Sequence, residues 1–334
     1  MKHIIRLLAL LMLLTTLTAA CAEEPLAAWP WDQSAPNQIV HAGDWWYAST
    51  GLYGSPNASL AIGETPDALR QVYTSQGYIW GVLHATPTHA AWVEEQDGVL
   101  RWMLHTRQSG ETAAVYTEAL TDGRPCFSVG LDADDFYYVR MDAERRCVLV
   151  RRSLESGEET VLPTPEDGTI GSVSLVDGEV TIACETREGW QLIRLDSVTG
   201  EEIAREALPE DVDLVFYAEY APRYRAYAVY CLTESDGESI GFHQQHRLNL
   251  VLTFSAHSWA YHDYVQLVDG HLLCTVKVER SGAVAENFMA LDVDLVRQKG
   301  TEHKGAIAFT VDDGRLLLVT LDPENDRILL EEAR

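Results

Sequence analysis

The chain has 334 residues, 46% of them apolar, and 51 acidic side chains against 25 basic ones give a formal net charge of −26. This is an ordinary globular composition, long enough for one large domain or two smaller ones, and it excludes a small disulfide-stapled module. The acidity repels phosphate backbones and anionic lipid surfaces, so nucleic acid is excluded as a partner of the folded body.

The chain opens with Lys2, His3 and Arg6, then an apolar run over residues 7–17 interrupted only by Thr15 and Thr16. That layout predicts a secretory signal over residues 1–22. The run falls short of the roughly 20 apolar residues that span a bilayer, and Glu23, Glu24 and Pro25 follow at once. The segment Leu17-Thr18-Ala19-Ala20-Cys21 resembles a bacterial lipoprotein box. The resemblance implies lipid attachment at Cys21, which would become the mature N-terminus. The protein would then be exported, anchored to the bacterial membrane facing outward, and in contact with the membrane only through that lipid. Thr18 stands where the family pattern usually has Leu. Ala20-Cys21-Ala22 also fits the small-x-small cleavage rule, so free secretion stays open as the alternative.

Residues 23–38, with Trp29-Pro30-Trp31 and Pro36, read as a flexible tether. From residue 39 to 334 no helical period appears. Short runs rich in Val, Ile, Tyr, Leu and Trp are cut by Asp97-Gly98, Asp177-Gly178, Asp269-Gly270 and Asp313-Gly314, pairs suited to tight hairpins with positive φ at both central residues. The units 171–184, 263–274 and 306–319 each read as strand, turn, strand, and further strands with Gly turns follow in 147–157 and 190–200.

With Trp45, Trp80, Phe127, Val173, Phe216, Val265 and Ile307 taken as equivalent first-strand positions, the unit repeats at the roughly 40–50 residues of a four-stranded propeller blade. The prediction is an all-β fold, a single β-propeller domain over residues 39–334 with seven four-stranded blades. The last unit shows only three strands, so an N-terminal strand is expected to close the last blade, and Gln38-Ile39-Val40-His41 is the candidate. An elongated stack of antiparallel sheets or a two-sheet sandwich is the competing architecture.

Two stretches carry a family resemblance. The run from Arg194 through Leu195-Asp196-Ser197-Val198-Thr199-Gly200 to Glu201 resembles the Leu-Asp-x-x-Thr-Gly turn of quinoprotein-type repeats. The stretch from Tyr137-Tyr138-Val139 to Gly157 resembles blades of the broader TolB-like and WD40-like group. The resemblance implies a bacterial exported β-propeller. Ile203-Ala204-Arg205 stands where the quinoprotein repeat has its characteristic Trp, so no cofactor is carried over and none is expected.

Histidines concentrate at His243, His246, His257 and His262, beside Asp263. Imidazoles with a carboxylate suit a divalent transition metal if the loops converge, although i and i+3 positions point to opposite faces of a strand. Asp322-Pro323-Glu324-Asn325-Asp326 and Asp132-Ala133-Asp134-Asp135 have the spacing of calcium loops but lack their Gly and Glu, and read as turns. Trp45, Trp46, Tyr47, Trp80, Trp92 and Trp102 suit interblade packing or an aromatic platform. Cys126, Cys147, Cys184, Cys231 and Cys274 lie singly in apolar runs and read as buried thiols, with Cys126 and Cys147 as the pair to test for a disulfide. Asn57-Ala58-Ser59 is read as an ordinary loop despite its sequon.

No G-x-S-x-G, P-loop or G-x-G-x-x-G occurs. The expected function is a monomeric, surface-tethered binding or scaffold protein. It would take a protein, peptide or glycan on a loop face, around residues 52–58, 84–89 or 233–247. The alternative is a metal-assisted enzyme acting on extracellular polysaccharide or peptide through the four histidines.

Overall fold

The computed structural model describes residues 25–32, 35–50, 58–120, 128–235, 237–254, 260–261, 265–268, 270–278 and 288–333. Seven antiparallel sheets follow one another along the chain. Blade 1 holds Pro36–Ala42, Trp45–Thr50, Ser59–Gly63 and Arg70–Thr74. Blade 2 holds Tyr78–Ala85, His89–Gln96, Val99–Thr106 and Glu111–Ala119. Blade 3 holds Val129–Leu131, Asp135–Met141, Cys147–Ser153 and Glu159–Leu162, and blade 4 holds Thr169–Val176, Glu179–Thr186, Gly189–Asp196 and Glu202–Ala207. Blade 5 holds Val212–Ala221, Ala226–Thr233, Gly237–Gln244 and Arg247–Phe254. Blade 6 holds Ala260–Tyr261 and Val265–Val268, both paired with His271–Val278, then Phe288–Asp294 and Lys299–Lys304. Blade 7 holds Ala306–Asp312, Arg315–Asp322 and Arg327–Glu332. The first strands of neighbouring blades approach one another and form the inner ring.

Burial explains why the strands differ in composition. Second strands lie inside a sheet with a blade on each side, and they read as largely apolar runs such as Val180 to Cys184, interrupted only by Thr181, and Ala226 to Cys231, all buried. Fourth strands are outermost and alternate, as in Glu202–Ala207 and Lys299–Lys304. Seven apolar clusters each lie chiefly between one pair of successive blades, the last joining blade 7 to blade 1. A lone blade has nothing to cover its two faces, and stacking around a closed ring buries both.

The ring is closed by an N-terminal strand, but not by the expected one. Ala27–Pro30, within the segment expected to be a tether, pairs antiparallel with Arg327–Glu332, placing Ala27 opposite Leu330 and Pro30 opposite Arg327. Main-chain bonds from Leu26 N to Leu330 O (2.8 Å) and Trp31 N to Asp326 O (3.1 Å) extend the pairing. Residues 38–41 instead lie in Pro36–Ala42, the innermost strand of blade 1. The reason is local: Gly43, at φ 64°, turns that strand directly onto Trp45–Thr50, pairing His41 with Trp46 and Ala42 with Trp45. Trp45 is therefore a second-strand residue. Trp80, Val173, Phe216, Val265 and Ile307 lie on first strands as expected, and Phe127 falls outside the described residues.

The turns follow the sequence pattern. Asp97-Gly98, Asp177-Gly178 and Asp313-Gly314 have positive φ at both residues, from 48° to 78°. Turns between third and fourth strands share a second device, in which Gly110, Gly157 and Gly200, all near φ 72°, donate N–H to the carbonyls of Thr106, Ser153 and Asp196 at 2.9 Å.

Candidate functional site

The two ends of the ring are built differently. One end carries the turns from first to second and from third to fourth strands, which are short, such as 43–44, 177–178, 245–246 and 313–314. The other end carries the second-to-third turns and the crossings to the next blade, and the long intervals 51–58, 120–128, 163–168 and 279–287 all leave from it. Of the loops expected to make contacts, 84–89 belongs to the short-turn end, 233–247 is not a loop but mostly the strand Gly237–Gln244 followed by the short-turn-end turn 245–246, and of 52–58 only Ala58 is among the described residues.

Arginines and aromatic rings tie the short-turn end together. The Arg107 guanidinium lies 4.2 Å from the Trp45 ring centroid, Arg194 lies 3.7 Å from that of Tyr220, and Arg223 lies 5.6 Å from that of Tyr224. Arg107 Nε also donates to Pro87 O at 2.9 Å, and Arg151 Nη1 reaches from blade 3 to the carbonyls of Ser197 and Val198 in blade 4, at 3.3 and 2.7 Å.

The expected metal residues separate. His243 closes the third strand of blade 5 and is fully buried in the interface with blade 4, its Nδ1 3.3 Å from Glu206 Oε2 and its ring 6.2 Å from that of Tyr227. Burial lowers its pKa, and the neighbouring His246 lowers it further against the opposing pull of Glu206. His246 is exposed in the turn 245–246 at φ 63°. His257 and His262 lie outside the described residues, and among those residues no three His, Cys, Asp or Glu side chains group closely enough to hold a metal.

The array around His243 gave no sequence signal. Arg194 bonds Glu179 at 2.9 Å and covers Tyr220, whose ring lies 5.0 Å from that of Tyr227. With His243 and Glu206 these residues come from six strands of two blades, and only the folded ring joins them. A similar spread marks the other polar pairs at this end, His41 Nδ1 with Asp312 Oδ1 at 2.6 Å and Arg315 with the same carboxylate at 2.7 Å.

Tyrosines supply hydrogen-bond donors to several partly buried carboxylates. Tyrosine hydroxyls donate to Glu94 from Tyr73 (3.1 Å), to Glu118 from Tyr116 (3.2 Å), to Glu159 from Tyr138 (2.9 Å) and to Glu238 from Tyr230 (2.9 Å). Tyr217 donates to Glu219 in the same way and accepts Leu267 N–H from blade 6 at 3.1 Å. Glu219 is buried, and desolvation raises its pKa to about 8 against that bond. The stability linked to its proton is complete below the ordinary value of 4.5 and is lost as pH rises through about 8.

The acidic motifs are turns. Asp132 Oδ1 accepts the N–H groups of Asp134 and Asp135 at 2.9 and 2.7 Å, and the Asp322 carboxylate is held by Asn325 Nδ2 and Arg327 Nε. In the Leu-Asp-x-x-Thr-Gly turn, Asp196 Oδ1 accepts from Val198 N, Thr199 N and Thr199 Oγ1 at 2.7–3.0 Å. Trp46, Tyr47, Trp92 and Trp102 are core residues, while the side chain of Trp80 is outside the described set. Cys184, Cys231 and Cys274 are buried free thiols, Cys147 is a half-buried one, and Cys126 is outside the described residues.

No family model matches the sequence, and no curated protein is similar to it. Solved structures do align along almost the whole chain. A chain of Kuenenia stuttgartiensis hydrazine synthase superposes with a TM-score of 0.56 over 90% of this chain and 96% of that one, at 9% identity. The chain is a β-propeller. The propeller domain of the Pyrococcus furiosus trilobed protease, which has an open velcro topology, matches at 0.52 over 92% and 94% with 12% identity. An oligogalacturonate lyase in complex with manganese matches at 0.52 over 93% and 96% with 14% identity. At such identities the likeness is one of fold alone.

Proposed function

We propose that this chain is an envelope binding protein, held outside the cell by a lipid on Cys21, that takes a protein, peptide or glycan on its long-connection end. The observation that carries this reading is the direction of the closing strand. Ala27 lies at the short-turn end and Pro30 towards the other, so a lipid on Cys21 pulls on the short-turn end. The few residues between Cys21 and Ala27 span at most about 20 Å, which keeps the stapled end near the bilayer and turns the long connections outward. Binding residues sit disproportionately on connections held by a rigid scaffold.

The test is capture from envelope extracts by the immobilised protein. Replacing the second-to-third connections 51–58 and 279–287 with two-residue Asn-Gly turns should abolish capture, whereas Arg223→Ala at the opposite end should leave it intact. Capture that survives both loop replacements would overturn the binding face. Turnover of a polysaccharide or peptide that needs bound metal and is lost in His243→Ala would favour the metal-assisted enzyme instead. Mass spectrometry of the mature N-terminus tests the anchor separately, with a diacylated Cys21 expected and an unmodified Glu23 start indicating secretion.

A further inference from the structure

Cys147 opens the third strand of blade 3, and Cys184 lies in the second strand of blade 4, both towards the long-connection end. They pack against one apolar cluster between the two blades. The Ile170 backbone N–H reaches the Cys147 sulfur, and Ile170 is itself the cross-strand partner of Cys184. The two thiols therefore approach a single residue from neighbouring blades, and charge on Cys147 is felt at Cys184.

Their surroundings suit a sulfur pair. The Cys147 sulfur rests 3.5 Å from Met141 Sδ. The Cys184 sulfur lies 2.3 Å from where a Cβ on Gly168 would stand, so glycine at this position makes room for it. Connection 163–168 covers the site, with Thr164 Oγ1 donating to Cys147 O at 3.5 Å. Burial raises both thiol pKa values, that of Cys184 to about 12. The apolar interface thus holds neutral thiols, and a disulfide, also neutral and apolar, fits it equally well.

We propose that Cys147 and Cys184 are a matched pair that closes into a disulfide joining blade 3 to blade 4. The oxidant is a small-molecule disulfide. The half-buried Cys147 attacks it as thiolate and releases one thiol, leaving a mixed disulfide on Cys147. Cys184 then loses its proton and attacks the Cys147 sulfur, expelling the second thiol. Two protein thiols give up two electrons, and the oxidant's S–S bond becomes two thiols.

The test uses the purified full-length protein incubated with glutathione disulfide, alkylated, and digested with trypsin without reduction. The peptide spanning 147–151 should appear joined to the one spanning 153–187. That species should be absent from Cys147→Ser, a substitution at a partly exposed strand end that the fold accommodates. Oxidation should raise the melting temperature of the parent by about 5 °C and leave Cys147→Ser unchanged. Joining of 147–151 to the Cys126 peptide, glutathione on Cys147 alone, or separate alkylation of both thiols would each overturn the assignment.

Discussion

Blade 4 meets its two neighbours through different chemistry. Towards blade 3 the interior is apolar, with Tyr137, Val139, Leu149, Ile182, Cys184 and Ile193 in one cluster, and the polar contacts include Tyr137 and Arg151 donating to the carbonyls of residues 197 and 198 and the Ile170 N–H reaching the Cys147 sulfur. Towards blade 5 an equally buried apolar cluster is continued by Glu179, Arg194, Tyr220, Tyr227, His243 and Glu206. Both interfaces hold the same ring together, so the fold requires only that each blade face be covered. The difference is that the second interface sets an imidazole beside a carboxylate and an arginine beside another, whereas the first joins its blades through backbone carbonyls and neutral thiols.

The comparison is tested most strongly on the apolar side. Leu149→Ala removes a fully buried side chain and should lower the unfolding free energy by about 3 kcal/mol in urea titration. A loss below about 1 kcal/mol would mean that this interface is loosely packed. On the polar side, Arg194→Met keeps the apolar stem but leaves Glu179 and Tyr220 without their cation, with an expected loss of about 1.5 kcal/mol. If Arg194→Met proved costlier than Leu149→Ala, the polar array would be the stronger joint.

Acid should separate the two interfaces. The folded pKa of His243 is depressed, so its contribution is complete above the ordinary value of 6.5 and is lost as pH falls through the folded value. Hydrogen exchange read against pH should therefore show amides of 227–229 losing protection before those of 180–183. Simultaneous loss would remove His243 as the cause. The smallest effect is expected at the turn beside it. His246 occupies φ 63° without being glycine, so His246→Gly should raise stability by about 0.5 kcal/mol, measured by thermal unfolding.

Much of the fold was readable in the sequence because it is written locally. Asp177-Gly178 and Asp313-Gly314 specify their turns within two residues, and the buried second strands announce themselves as largely apolar runs. The closing strand was misplaced because Ala27–Pro30 is short and contains Trp-Pro, which reads as a tether, while residues 38–41 have a stronger strand pattern. Their true partner is set by the tight turn at Gly43. The array around His243 stayed hidden for a different reason, since Glu179, Arg194, Glu206, Tyr220 and Tyr227 meet only across two blades. Histidine density pointed to the right strand but to the wrong companions.

Closure by Ala27–Pro30 also imposes an order of events. Ala27–Pro30 is synthesised long before its partner, Arg327–Glu332, and must wait for it. Closing a loop of the whole ring rather than of one blade adds only about 2 kcal/mol of entropy, so the delay is kinetic more than thermodynamic. Until then the backbone of Ala27–Pro30 has no strand to pair with in the nascent chain. Completion of the ring is in effect a proofreading step, since a chain that ends before blade 7 has no means of sealing itself.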